Sequence, residues 1–151
     1  MRLSALYLFG AFCLCLVLAG CSGDVDYTPP AGSKEMAITH YSFGKIVVDG
    51  TEYTSDIVIS PGRNISSWSF DTTSHMIEAG DIEKLVNRDV QTVIIGIGYN
   101  SAASFSTSAL EFFDRLRAKG IEVFQLSTSK AVKRFNDSPK KGLLAFLHLN
   151  C

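Results

Sequence analysis

The sequence predicts a single compact α/β domain in which an N-terminal β-hairpin precedes a β-α-β-α-β segment. Two β-rich runs flank Asp49-Gly50, a largely apolar run with β-branched residues covers residues 91–98, and an amphipathic helical pattern follows that run. Strands that alternate with helices favour parallel pairing with right-handed crossovers. Because a hairpin adds antiparallel strands, we expect a mixed sheet with helices packed on it.

The hairpin is predicted from residues 38–48 and 51–60, which are rich in β-branched and aromatic side chains. Asp49-Gly50 lies between them and supplies the two residues of positive φ that a tight hairpin turn requires. The segment Pro61-Gly62-Arg63-Asn64 then ends the second strand. We therefore expect two antiparallel strands at the start of the domain.

The middle of the chain is predicted to contain a buried aromatic residue, a short helix and a central strand. Residues 65–70 form an extended piece around Trp68, whose large ring is expected in the core. Asp81 is expected to cap a helix that runs through Arg88. Residues 91–98 (QTVIIGIG) have the pattern of a strand that is buried on both faces at the centre of a sheet.

The clearest helix of the sequence follows this strand. Its apolar positions recur at i, i+3, i+4 and i+7, Ser106 to Ser108 offer caps, and Gly120 closes it. The apolar positions are Ala109, Phe112, Phe113 and Leu116. The remaining predicted elements are a strand over 121–126, a helix over 128–136 with Ala131, Val132 and Phe135 inward, and a strand over 143–149.

The first 20 residues have the layout of a secretory signal peptide, with a positive charge at Arg2 and an apolar run over 3–19. Leu18-Ala19-Gly20-Cys21 resembles a bacterial lipobox, in which small side chains enter a peptidase cleft and the cysteine thiol accepts lipid. A retained membrane span is the alternative, since a transmembrane helix needs about 20 consecutive apolar residues. We predict a signal peptide over 1–20 and lipidation of Cys21.

Acyl chains on Cys21 would anchor the mature protein to a membrane without spanning it. Residues 21–37 are rich in Ser, Gly, Asp and Pro, so we predict a lipidated flexible tether there and a folded domain over 38–151. Ser22 stands where an aspartate would resemble an inner-membrane retention signal. We therefore expect a cell-envelope location, and in a cell with two membranes the outer membrane, facing the periplasm.

Charge and cysteine content exclude some classes of function. The chain has 14 Lys and Arg against 15 Asp and Glu and shows no basic patch, which argues against nucleic acid as a partner.

Cys13 and Cys15 leave with the signal peptide and Cys21 is acylated, so no internal disulfide is expected. Cys151 is expected to be partly covered by the core, and pairing between chains is the alternative.

A candidate ligand pocket lies where the apolar strand ends, because open α/β sheets bind ligands at the carboxyl edge of their strands. Backbone amides near Gly98 and Tyr99 would bind an anion there. A tight turn is the alternative, since a single G-x-G is a weak signal and glycine adopts positive φ readily. The residues of the candidate pocket are Gly96, Gly98, Tyr99, Asn100, Thr128 and Asn136.

The sequence predicts no catalytic residue, metal site or cofactor. No G-x-S-x-G elbow surrounds a serine, and no nucleophile stands beside its base. His40, His75 and His148 are scattered along the chain, whereas a metal needs three or four convergent ligands. His75 would meet Glu78 and Asp81 only if their loop folded back, so we interpret it as a loop histidine.

The order of these motifs resembles the Mth938-like domain family over nearly all of residues 38–151. The matching features are SFGKIVVDGTEYTSDIVIS, Trp68, His75, VQTVIIGIGYN, GIEVFQLST, AVKRFN and GLLAFLHLNC. The resemblance implies a compact α/β domain with the hairpin and sheet described above. It implies no reaction, because the family has no agreed catalytic residues. Its better-known members look intracellular, whereas this chain has an export signal.

Three functions are compatible with these observations. The first, which the missing catalytic set favours, is a non-catalytic protein-binding or assembly module presented to an envelope protein by the lipid anchor. The second is a small-ligand binder or cryptic enzyme that uses the loop 96–100, for which Gly98→Val should abolish ligand binding and leave the fold intact. The third is a purely structural envelope component.

Overall fold

The computed structural model describes residues 23–71 and 73–151, so the predicted signal peptide and Cys21 lie outside the described residues. The strands are β1 (Val25–Asp26), β2 (Ile38–Ser42), β3 (Lys45–Val48), β4 (Thr51–Tyr53), β5 (Ile57–Ser60), β6 (Asn64–Ser67), β7 (Met76–Ile77), β8 (Thr92–Ile97), β9 (Ser104–Phe105), β10 (Glu122–Leu126) and β11 (Leu143–His148). The helices are α1 (Ala79–Glu83), α2 (Thr107–Ala118) and α3 (Thr128–Asp137). None of these described helices is both long and apolar enough to cross a bilayer.

A five-stranded mixed sheet is the centre of the fold, with the strand order β10-β8-β11-β5-β6. Its strands β10, β8 and β11 are parallel, whereas β5 runs antiparallel to β11. The predicted β-α-β-α-β segment is confirmed as β8, α2, β10, α3 and β11. As predicted, β8 lies inside the sheet with a partner on each side, but the middle position belongs to β11.

Two hydrophobic cores cover opposite faces of this sheet, because successive side chains of a strand point to opposite sides. On the first face, α3 and an antiparallel sheet of β1 to β4 pack against β8 residue Ile94. On the second face, α1 and α2 pack against Val93 and Ile95 of the same strand. Trp68 is buried in this second core, as predicted, and its Nε1 donates to the carbonyl of Asp81 at 3.2 Å.

The predicted hairpin is confirmed at its turn and corrected along its strands. Asp49 and Gly50 have φ angles of 48° and 81°, as the turn requires. The run 38–48 contains a second turn at Phe43-Gly44, where Gly44 has φ of 74° and separates β2 from β3. The run 51–60 divides between the two sheets, since β4 pairs with β3 and β5 pairs with β11.

The described fold begins before the predicted boundary at Ile38. Val25 in β1 lies opposite Tyr41 in β2 and is buried, although it was predicted to be part of the tether. Met36 and Ala37 are also buried in or beside the first core. This segment is mostly polar, but the free edge of β2 allows β1 to pair with it. That pairing places Val25 in the core.

The short helix α1 begins earlier and ends sooner than predicted. It ends at Glu83 instead of Arg88, and its N-cap is Glu78 instead of Asp81. Asp81 still stabilises the helix start, because its carboxylate accepts a hydrogen bond from the Glu78 amide at 2.8 Å. Hydrogen bonds from serine hydroxyls at the start of α2 lower the pKa of Glu78.

The two longer helices are confirmed, including their buried faces. Ser106 caps α2 by accepting from an amide of the first turn, and Gly120 follows the helix with φ of 80°. The C-terminus of α3 has a cap that the sequence did not reveal. The Lys140 ammonium donates to the carbonyls of Phe135 and Ser138 at 2.7 and 2.6 Å, where it complements the negative end of the helix.

Tyr41 lies in β2 of the four-stranded sheet and is a fully buried titratable group. Its hydroxyl donates to the carbonyl of Leu149 at 3.3 Å. Burial raises the pKa of this hydroxyl well above its ordinary value, because the ionised form would lie in an apolar environment. The folded protein therefore retains a proton that the unfolded chain loses near pH 10.

Tyr41→Phe is expected to make stability less sensitive to alkaline pH. The folded pKa is raised, so this group's contribution is intact below about pH 10 and is lost as the pH rises. Wild type should lose about 1.4 kcal/mol more than Tyr41→Phe between about pH 8 and about pH 11. Urea denaturation at both pH values tests this, with Tyr27→Phe as the control. Equal losses in wild type and Tyr41→Phe would contradict it.

Candidate functional site

Internal hydrogen bonds occupy the amides of the predicted ligand loop at the carboxyl end of β8. The three bonds are Gly98 N to Thr128 Oγ1 (2.9 Å), Tyr99 N to Asn150 O (3.0 Å) and Asn100 N to Cys151 O (2.7 Å). An anion site at a loop or helix start depends on N–H groups that point at the ligand. Because these amides already have acceptors, the geometry supports the alternative of a tight turn.

Thr128 joins the ends of three neighbouring segments. Its buried hydroxyl accepts from Gly98 and donates to the carbonyl of His148 at 2.6 Å, and its amide donates to Gly98 O at 3.0 Å. A Cβ on Gly96 would come within 2.7 Å of this hydroxyl. Gly96 is therefore explained by the close approach of α3 to β8, whereas a Cβ on Gly98 would meet the carbonyl oxygens of Asn150 and Cys151.

Asn136 does not join the loop, although it was predicted to border the same pocket. It lies eight residues beyond Thr128 on α3, about 12 Å away along the helix. Its carboxamide accepts from the Ile38 amide at 2.9 Å and donates to the Ile38 carbonyl at 2.8 Å. Asn136 therefore attaches α3 to β2, a role that needs no ligand.

A buried histidine–carboxylate pair lies beside this loop and was not predicted. His148 Nδ1 donates to Asp56 Oδ2 at 2.6 Å, and Asp56 Oδ1 accepts from the Leu149 amide at 2.8 Å. The edge of the His148 ring packs with Phe70, whose centroid is 5.1 Å away. His148 Nε2 is buried without a hydrogen-bond partner among the described residues. Since 92 residues separate the paired side chains, no local motif could have revealed the pair.

The thiol of Cys151 is partly covered, as predicted, and contacts His75. Its Sγ lies 3.1 Å from His75 Nε2. His75 does not join Glu78 and Asp81. No group of three His, Cys, Asp or Glu side chains converges as a metal site within residues 23–71 and 73–151.

A groove of about 460 Å³ opens on the second face of the sheet, between the loop after α1 and the C-terminal half of α2. Its apolar lining comes from Val86, Val90, Phe112, Leu116 and Ile121. Charged side chains from Glu83, Arg88 and Lys119 stand at its rim. This groove was not predicted, because Phe112 and Leu116, which line it, were interpreted only as core positions of their helix.

Comparison with known proteins assigns the chain to a family. A family model described as "Protein of unknown function (DUF498/DUF598)" matches residues 38–146, which is most of the chain. The match covers the five-stranded sheet except the end of β11, and the four-stranded sheet except β1. It includes the loop after β8 and the groove.

Solved structures show the same fold. The conserved hypothetical protein PH1505 from Pyrococcus horikoshii OT3 is 25% identical with a TM-score of 0.67, over 77% of this chain and 100% of that chain. A Mth938-like domain protein from Bordetella pertussis is 18% identical with a TM-score of 0.59, over 82% and 91%. An outer membrane protein from Bartonella henselae is 21% identical with a TM-score of 0.58, over 78% and 97%. The predicted resemblance is confirmed, and the chain belongs to the DUF498/DUF598 family of proteins of unknown function.

Proposed function

We propose that this chain is a lipoprotein of the cell envelope, anchored through acyl chains on Cys21, and that its domain binds another envelope protein without catalysing a reaction. The lipobox-like segment 18–21 motivates the anchor. The likeness to a Bartonella henselae outer membrane protein supports an outer-membrane location. The groove on the second face supports the binding role.

The groove is the observation on which the binding role depends. It combines an apolar floor with a charged rim, and protein interfaces have the same arrangement of an apolar core surrounded by a polar rim. Arg88 and Lys119 outnumber Glu83 at the rim, and Arg115 stands over the Phe112 ring at 5.5 Å. This charge distribution fits a partner segment that inserts an apolar side chain between acidic residues.

The alternative of a small ligand at the loop 96–100 has less support. Its proposed donors, the amides of Gly98 and Tyr99, are already bonded within the protein. Thr128 also uses both its hydroxyl and its amide for internal bonds. A ligand would have to displace several of these bonds, each of which leaves a buried polar group without a partner.

Cys21→Ser is expected to abolish lipidation and leave an unprocessed precursor, because the thiol is the acyl acceptor. Metabolic labelling with a fatty acid, followed by mass spectrometry of the N-terminal peptide, measures both outcomes. Cys151→Ser is the control and should be labelled like wild type. Normal labelling of Cys21→Ser would contradict the anchor.

The binding role is tested by reversing the charges at the groove. The full-length protein with a photo-crosslinking residue at the exposed position Asn87 should capture a membrane-associated protein in cells. The purified partner should then bind Arg88→Glu/Lys119→Glu at least about tenfold more weakly than wild type. The control Lys130→Glu/Lys133→Glu makes the same charge change on exposed positions of α3, which packs on the opposite face.

Equal affinity for the groove variant and the control variant would contradict the proposed surface. A failure to crosslink any protein from position 87, in cells where Cys21 is lipidated, would contradict the binding role and leave the anchor in place.

A further inference from the structure

Two aromatic side chains form an exposed edge of the domain, and we name Phe43 and Tyr99 the aromatic edge. Phe43 lies in the turn between β2 and β3 and is 58% exposed, which is the largest value among the exposed large hydrophobic side chains of the described residues. Its ring meets the half-buried Tyr99 ring edge-on, with the centroids 5.8 Å apart. Tyr99 in turn packs on the first core.

The N-terminal segment passes directly over this edge. The backbone at Gly23 lies so close to Tyr99 that an added Cβ would be 2.5 Å from the ring carbon Cζ. Two residues later, Val25 enters β1 and pairs with β2. The pairing of Val25 with β2 and the contact with the Tyr99 ring therefore fix where residue 23 lies on the surface.

Cys21 is only two residues from Gly23. Even a fully extended chain spans about 7 Å over two residues. The Cα of Cys21 would therefore lie within about 7 Å of the Gly23 Cα, so the lipid on its thiol would start near the aromatic edge.

We propose that the aromatic edge lies against the bilayer that holds the acyl chains of Cys21. This inference rests on the proposed lipidation. An exposed phenylalanine at the tip of a turn enters the apolar boundary of a membrane, and a tyrosine ring beside it has the amphipathic character suited to the headgroup level. The lipid anchor on Cys21 would itself place the bilayer next to this surface.

This orientation leaves the groove facing away from the membrane. Val90 and Ile121, which line the groove, precede β8 and β10, whereas Tyr99 follows β8. The six residues of β8 span about 20 Å. The groove also lies on the second face of the sheet, whereas Tyr99 packs with the first core.

Depth-dependent quenching tests the orientation. Phe43→Trp and the control Leu110→Trp each place a tryptophan at an exposed apolar position, the second on α2, at 45% exposure. Each lipidated full-length variant is reconstituted in phosphatidylcholine vesicles with and without bromine on the acyl chains. Subtracting the wild-type signal removes the contribution of the buried Trp68. Bromine is expected to quench most of the emission from position 43 and little from position 110.

Equal quenching at the two positions, or stronger quenching at position 110, would overturn the orientation. Mass spectrometry of the same samples reports whether Cys21 carries lipid. Lipidated protein without preferential quenching at position 43 overturns this inference alone. Absence of lipid on Cys21 overturns both this inference and the proposed anchor.

Discussion

Gly98→Ala is expected to lower the free energy of unfolding by about 3–5 kcal/mol. Gly98 has φ of 103°, a conformation that residues with a side chain rarely adopt. A Cβ there would also overlap the carbonyl oxygens of Asn150 and Cys151. These carbonyls accept hydrogen bonds from the next two amides, so they cannot move aside without breaking those bonds. Chemical denaturation of the variant and wild type measures the loss.

Gly120→Ala is the matched control for this prediction. Gly120 has φ of 80°, but an added Cβ would meet no atom within 4 Å. The control therefore incurs only the conformational cost, about 1 kcal/mol. Equal losses in the two variants would show that the overlap at Gly98 is absent. Gly98→Val is expected to destabilise the fold for the same reason. A loss of ligand binding in that variant would therefore not identify Gly98 as part of a ligand site.

Asp56→Ala is expected to destabilise the domain by about 3–5 kcal/mol, because it removes one partner of a buried pair. The His148 Nδ1 donor and the Leu149 amide would both lose their acceptor, and both residues are buried. Asp56→Asn retains one oxygen in the same place and should cost less, about 1–2 kcal/mol. Urea denaturation of both variants measures this order.

Asp114→Ala is the control, because Asp114 pairs with Arg117 on the exposed surface of α2 at 3.0 Å. Removing an exposed pair of this kind costs at most about 1 kcal/mol. A loss for Asp56→Ala no larger than that for Asp114→Ala would contradict the structural role of the buried pair.

The C-terminal half of the fold was predictable because each element carries its own local signal. The run 93–97 is apolar throughout, and the buried face of α2 repeats at helical spacing. Ser106 and Gly120 mark the ends of that helix in the sequence as well as in the structure. Local signals of this kind do not depend on which elements pair later.

The N-terminal half was less predictable because its strands are short and their partners are remote. The run 51–60 contains many β-branched residues and was predicted as one strand, yet β4 and β5 belong to different sheets. β1 has two residues, and only its pairing with β2 makes it a strand. No pattern within residues 23–37 identifies that partner.

The candidate pocket was predicted from the position of residues 96–100 at the end of β8, but the contacts of its residues depend on segments that are remote in the sequence. Gly98 and Thr128 do come together, but as hydrogen-bond partners of each other. Asn136 faces Ile38 instead. The groove is the space between the loop after α1 and the helix α2, and a gap between two segments leaves no pattern in the sequence of either one.

The middle position of β11 has a consequence for how the chain folds during synthesis. Of the five strands in the large sheet, β11 leaves the ribosome last, yet it is the strand that joins the β10-β8 pair to the β5-β6 pair. Until residue 148 has emerged, the sheet consists of two separated pairs, and neither core can close. Pairing across such long sequence separations is slow. The large sheet therefore cannot be completed until its C-terminal strand has been synthesised.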